Sequence, residues 1–199
     1  MAITGASGAV YARQLARCIA ACGAHLHLVA SPYGQRVLAE ELGLNKLTPE
    51  GLADGALPSA TMHSYRDLGD QIASGSFHTD GMVICPCSSN TLAAVASGLA
   101  DNLITRAAHV TLKEGRRLIL VTREMPLSQI EIVNMLRVSR AGGIICPAAP
   151  GFYMRPKSID DLVGFVAGRV LDLLGLPHQL ETRWDPRIEH ARPQRTPQD

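Results

Sequence analysis

Charge is scarce in this chain. Only 19% of its 199 residues are Asp, Glu, Lys or Arg, against about 25% in an ordinary soluble domain. Lys and Arg number 19 and Asp and Glu 18, a net charge of +1, which leaves no electrostatic case for nucleic acid or an anionic membrane as partner. No apolar run reaches the roughly 18–20 residues of a membrane span, and no signal peptide precedes the first glycine loop. The expectation is a soluble cytoplasmic protein. Apolar residues make up 46%, and a surface so short of charge predicts that part of it is buried against further copies of the chain. The five cysteines are an odd set for a disulfide framework, and no CxxC pair or Cys/His cluster is there to hold zinc. They read as small buried hydrophobes, and no metal site is expected. Internal repeats and a dividing linker are missing too. Residues 1–176 read as one α/β domain, and 177–199, polar and rich in Pro and Arg, as a tail packing on a neighbouring subunit.

What is present alternates. Short apolar runs interleave with helical patterns, the signature of a parallel sheet wrapped by helices. After MAITGASG, the stretch AVYARQLARCIAACG carries apolar residues at helical spacing and stops at Gly23. HLHLVAS reads as a strand, and PYGQRVLAEELG as a helix capped by Ser31 with Pro32 in its first turn. Residues 43–79 show little periodicity, and so long a connection is predicted to be functional or partly mobile. GMVICPCSSNTLAAVASG reads as strand, polar turn and helix, DNLITRAAHVTLKEG as a helix, and RRLILVTRE as a strand ending in charge. LSQIEIVNMLRVSRAGG is helical, IICPA a short strand, and SIDDLVGFVAGRVLDLLG a long helix opened by Ser158 and Asp161 in a capping-box-like pair. The predicted fold is α/β, a single doubly wound, mostly parallel sheet with helices on both faces.

In such sheets ligands gather beyond the carboxyl ends of the strands. The turns that follow the apolar runs there are Thr4 to Gly8, Ser31, Ser88 to Thr91, Arg123-Glu124 and Gly151 to Tyr153. Small hydroxyls and helix N-termini in several turns at one edge favour a phosphorylated ligand over mere capping. A dinucleotide-dependent dehydrogenase does not fit. TGASGAV lacks the third glycine of that fingerprint, Ser31 stands where an acid would hold a ribose, and Pro156 keeps Tyr153 and Lys157 off a shared helical face. Arg106 and Lys113, seven apart on one helix, are either a solvated face or an anion site. Arg169 shares a stripe with Leu162, Val166 and Leu173, so it either snorkels to the surface or pairs with a buried anion, and the anion is favoured. Two anions at one strand edge suggest a nucleotide-like cofactor and a phosphorylated co-substrate.

TGASGAVY, MVICPCSSNTLAAVASGLADNLITRAAHVTLKE, LILVTREMPLS and PAAPGFYMRPKSIDDLVGFVAGRVLDLLGL together resemble the flavin prenyltransferases of the UbiX/Pad type, over most of residues 3–176. The resemblance implies a Rossmann-like flavoprotein that joins a dimethylallyl group from dimethylallyl phosphate to N5 and C6 of reduced FMN. The prenylated FMN then goes to a UbiD-type decarboxylase. It also implies a metal-independent reaction, in which protein cations and donors stabilise charge, and a homo-oligomer, often a dodecamer, with sites completed by neighbouring chains. Carried onto this sequence, Gly5, Ala6, Ser7, Ser31, Ser88, Ser89, Asn90, Thr91 and Arg123 would contact FMN. Tyr153 and Arg169 would bind dimethylallyl phosphate, with Arg106 and Lys113 adding charge. Ser7, Glu41 and Glu124 would lie near the reacting flavin, Glu124 moving the proton that leaves C6. Trp184 matches an aromatic beside the prenyl group, and packing on a neighbouring subunit explains it equally well. The family has a longer first strand than Met1-Ala2-Ile3, which points to a misassigned start codon or a trimmed sequence. Asn90 and Thr122 depart from the family pattern in the flavin loops. A flavin-dependent peptidyl- or pantothenoyl-cysteine decarboxylase and a non-catalytic FMN-binding protein are the alternatives.

Overall fold

The computed structural model describes residues 1–57, 59–180 and 182. Six strands lie in one sheet in the order β3-β2-β1-β4-β5-β6, every neighbouring pair parallel. They are β1 (Ala2–Ile3), β2 (Leu26–Ala30), β3 (Ala60–Met62), β4 (Gly81–Cys87), β5 (Arg117–Thr122) and β6 (Ile144–Ile145). Residues 82–87 of β4 and 118–122 of β5 are buried without a break. Covered on both faces, these strands read as unbroken apolar runs.

On one face lie α1 (Ala9–Ala21), α2 (Pro32–Leu42), α3 (Pro49–Ala53) and α7 (Ile159–Leu174); α4 (Ser89–Ser97), α5 (Leu103–Lys113) and α6 (Gln129–Arg140) lie on the other. In α1 the buried set Ala12, Leu15, Ala16 and Ile19 has helical spacing, and Gly23 leaves the helix with a positive φ. The capping box at Ser158 and Asp161 opens α7 as expected. Its buried side holds Val163, Val166, Ala167, Val170 and Leu171 and packs on α1. The described tail residues fold back on the same chain. The carbonyl of Pro177 accepts from Cys22, His178 bonds Asp172, and Thr182 is buried.

Residues 43–79 hold more order than their composition suggests. They contain α3, the edge strand β3 and a 3₁₀ turn at Gln71–Ala73. Two half-covered residues and one exposed residue at a sheet edge, with one five-residue helix, leave no periodic signal to read. The shortage of surface charge reappears as exposed hydrophobes around α6, where Met125, Leu127, Ile130, Val133 and Leu136 face outward. Among the described residues no helix is long and apolar enough to cross a membrane.

Candidate active site

The strand order reverses between β1 and β4, so the turns leaving these two strands open a crevice at the carboxyl edge. Thr4, 1% exposed, fastens them. Its hydroxyl donates to the Pro86 carbonyl at 2.9 Å and accepts from the Ser88 amide at 2.8 Å, while its amide reaches the same carbonyl at 3.1 Å. Thr4 was visible in the sequence as the hydroxyl ending the first strand, yet its role depends on β4 lying alongside, which no local pattern reveals.

Around this pin the crevice residues meet. Arg123 donates through Nε to the Ser7 carbonyl at 3.3 Å. The Ser89 hydroxyl donates to Glu124 Oε2 at 3.1 Å, and the amide of Met125 to Glu124 Oε1 at 3.3 Å. One chain therefore brings Ser7, Ser89, Arg123 and Glu124 together, with Gly5, Ser7 and Glu124 exposed. Tyr11 packs beneath them, where burial and the nearby Cys85 raise its phenol and Arg123 opposes them. Cys85 and Cys87 are fully buried, which pushes both thiols far up.

Several hydroxyls expected to face a ligand also cap helices. Ser31 Oγ accepts from the Gly34 amide at 3.0 Å, and Ser88 Oγ from the Thr91 amide at 3.3 Å. Gly34 seats α2 directly on the end of β1. A Cβ there would stand 2.3 Å from the Ile3 carbonyl oxygen, backbone against backbone with nothing able to yield. Glu41, near the end of α2, turns its carboxylate to the amides of Gly8 and Ala9. Beside α4, Asn90 and Thr91 line a groove of about 310 Å³ with Tyr65, Ser97, Asp101 and Asn102. The exposed Gly5 and Ser7 with the Arg123 guanidinium suit an anionic group such as the phosphate of FMN.

The remaining candidates bond other partners. Lys113 ends α5 at the opposite edge of the sheet, paired with Glu114 at 2.7 Å. Arg106 donates to the Ala73 carbonyl at 3.2 Å. Arg169 is half-exposed and pairs at 2.9 Å with Asp172, itself mostly buried. Snorkelling and an anion are thus both present, the anion being a protein carboxylate. The Tyr153 hydroxyl donates to the Thr182 carbonyl at 3.4 Å, and its ring meets Phe165 edge-on. Trp184 and its expected contacts lie outside the described residues.

A flavoprotein family profile matches residues 1–171. The flavin prenyltransferase UbiX of Halalkalibacterium halodurans is 45% identical over 195 residues, 96% of this chain and 95% of that protein. The crystal structure of AnUbiX (PadA1) in complex with FMN and dimethylallyl pyrophosphate is similar at a TM-score of 0.85 and 41% identity, covering 92% of this chain and 95% of that one. A dodecameric FMN-dependent UbiX-like decarboxylase from Escherichia coli O157:H7 has a TM-score of 0.83 at 41% identity, covering 93% of this chain and 100% of that one. A parallel sheet with its crevice at the switch point and a match along nearly its whole length place the chain in the flavoprotein family.

Proposed function

We propose that this protein is a flavin prenyltransferase, joining the dimethylallyl group of dimethylallyl phosphate to N5 and C6 of reduced FMN. The observation that carries the reading is the meeting of Ser7, Ser89, Arg123 and Glu124 over the Thr4 pin, in a chain 45% identical to a flavin prenyltransferase. Reduced FMN supplies the nucleophilic nitrogen and ring carbon. The donor's C–O bond breaks and its phosphate leaves as N5 bonds to C1 and gives up its proton; the alkene then takes a proton at C2 while C6 bonds to C3 and gives up its own.

The chain's own groups have separable tasks. The Gly5 to Ser7 turn, Ser31 and the Ser88 to Thr91 turn hold the nucleotide with amides and hydroxyls. Arg123 sets a positive charge beside the Ser7 carbonyl, and Glu124, exposed and held by Ser89, is placed to take the departing proton. Leaving phosphate needs cations. Arg106, Lys113, Arg169 and Tyr153 bond partners other than Ser7, Ser89, Arg123 and Glu124 of their own chain, and we assign them to the sites of neighbouring copies in a homo-oligomer of dodecamer type. The uncovered apolar face of α6 supports assembly. The recipient of prenylated FMN is a decarboxylase of the UbiD type.

Neither alternative is favoured. The substrate clamp of cysteine decarboxylases resembles PxMNxxMW, and no such stretch occurs in this sequence. A mere FMN carrier gives no reason for an exposed carboxylate held beside the flavin turn. Incubating the purified protein anaerobically with reduced FMN and dimethylallyl phosphate tests the reading. A flavin heavier by one prenyl unit is expected, and an unchanged mass contradicts it. Glu124→Gln is expected to lower the rate about 100-fold. Arg169→Ala is expected to weaken the donor about tenfold while sparing FMN affinity.

A further inference from the structure

Six of the α-helices carry their own N-terminal cap. Ser31, Thr48, Ser88, Asn102, Ser128 and Ser158 each accept from an amide of the helix they begin. The exception is α1, whose cap residue Gly8 has no side chain and a φ of 121°. That backbone conformation closes the glycine turn and disfavours any residue able to cap it. Glu41 supplies the missing acceptor from another helix. Its Oε2 lies 2.7 Å from the Ala9 amide and 3.0 Å from that of Gly8, and its Oε1 lies 3.2 Å from Gly8.

We infer that Glu41 is a positioning residue, whose carboxylate holds the start of α1, and with it the Ser7 carbonyl that receives Arg123, without carrying a proton in the reaction. The inference rests on the prenyltransferase reading only for its reaction arm. Both carboxylate oxygens accept N–H bonds, and a protonated carboxyl would set its O–H against an amide. The carboxylate is also fixed from behind. α2 is clamped to β1 by Gly34 at one end and to α1 by Glu41 at the other, so it forms a strap across the glycine turn. Release of the cap frees Gly8, then Ser7, then the Arg123 contact. The expected loss is therefore in flavin affinity, and the proton step keeps its own residue.

Three variants test this in the full-length protein. Glu41→Gln keeps an acceptor oxygen and cannot carry a proton. It should weaken FMN binding about threefold and slow single-turnover formation of prenylated FMN, at saturating FMN, by no more than about threefold, with the pH profile unshifted. Glu41→Ala removes the cap and should raise the Kd for FMN about tenfold, the rate at saturation largely recovering. Glu41→Asp, one methylene short of Ala9, should follow Ala in affinity although its carboxyl can still titrate. A Gln variant that binds FMN normally but reacts 100-fold slower, or loses one limb of the pH profile, overturns the inference. So does an Asp variant that restores full rate where Gln has none. If Ala fails to fold, Gln and Asp decide. If the wild-type protein makes no prenylated flavin, the functional reading fails, and the affinity order wild type, Gln, then Asp and Ala still decides the cap.

Discussion

The two edges of the sheet handle polar groups in opposite ways. Towards the amino end of β2 the polar side chains bind one another. His25 bridges Ser59 and Thr61, His27 bonds His63 at 2.8 Å, and His63 bonds Asp70 at 2.6 Å. Arg116 fills the carbonyls of Gly75 and Phe77, and Arg117 that of Leu174. At the carboxyl edge there are few charges, and Gly5, Ser7 and Glu124 are exposed beside Arg123. The edge rich in titratable groups spends them on bonds to one another and to backbone carbonyls, whereas the edge poor in them is the one to which we assign the flavin. Parallel strands cause this, because every following helix presents its N–H end at the same side.

Breaking the carboxyl edge should have the largest effect. Gly34→Ala drives a Cβ into the Ile3 backbone and should cost about 3 kcal/mol or prevent folding, measured by denaturant titration and loss of bound FMN. Thr4→Val keeps the shape but removes the pin. It should cost about 2 kcal/mol in the same titration and loosen FMN, because the Ser88 amide is left without its acceptor.

The amino edge is sharpened by pH. Burial first, then the neighbouring His63 and His25 and the chain-start ammonium, hold the His27 imidazole down to about 4, with Asp70 working the other way. The unfolded imidazole titrates near 6.5, so between these values the unfolded chain binds the extra proton. Stability from this group is complete above pH 6.5 and is lost as pH falls towards 4. Asp70 is held below its ordinary value although burial opposes this, because bonds from His63 and the Ile72 amide prevail. Its contribution disappears only at still lower pH. His27→Gln should flatten the decline in unfolding free energy between pH 7 and pH 5. The smallest effect belongs to neither edge. Arg36→Ala breaks an exposed ion pair with Glu40 and should leave the thermal midpoint where it is.

Most elements were legible, because α1, α2, α4, α5, α6 and α7 carry their own periodicity, and all of these but α1 their own cap residues. Edge strand β3 was not, since its three residues pair only through β2. The turns of the site were legible from their place after apolar runs. What Thr4, Gly34 and Glu41 do there was not, because each acts on a segment that only the folded topology brings near. The separation of Lys113 from the crevice was equally hidden. Helical spacing puts it on a face with Arg106, but the direction of α5 carries it to the far edge of the sheet.

Mixing two defective proteins probes the claim that crevice and cations come from different copies. Glu124→Gln and Arg169→Ala are each expected to form little prenylated flavin at low donor concentration. Co-expressed, they should yield assemblies in which some sites hold both native residues, and flavin of prenylated mass should reappear well above either parent. Product no greater than that of the better parent, from assemblies proven to contain both chains, would place both residues in one subunit's site and contradict the account.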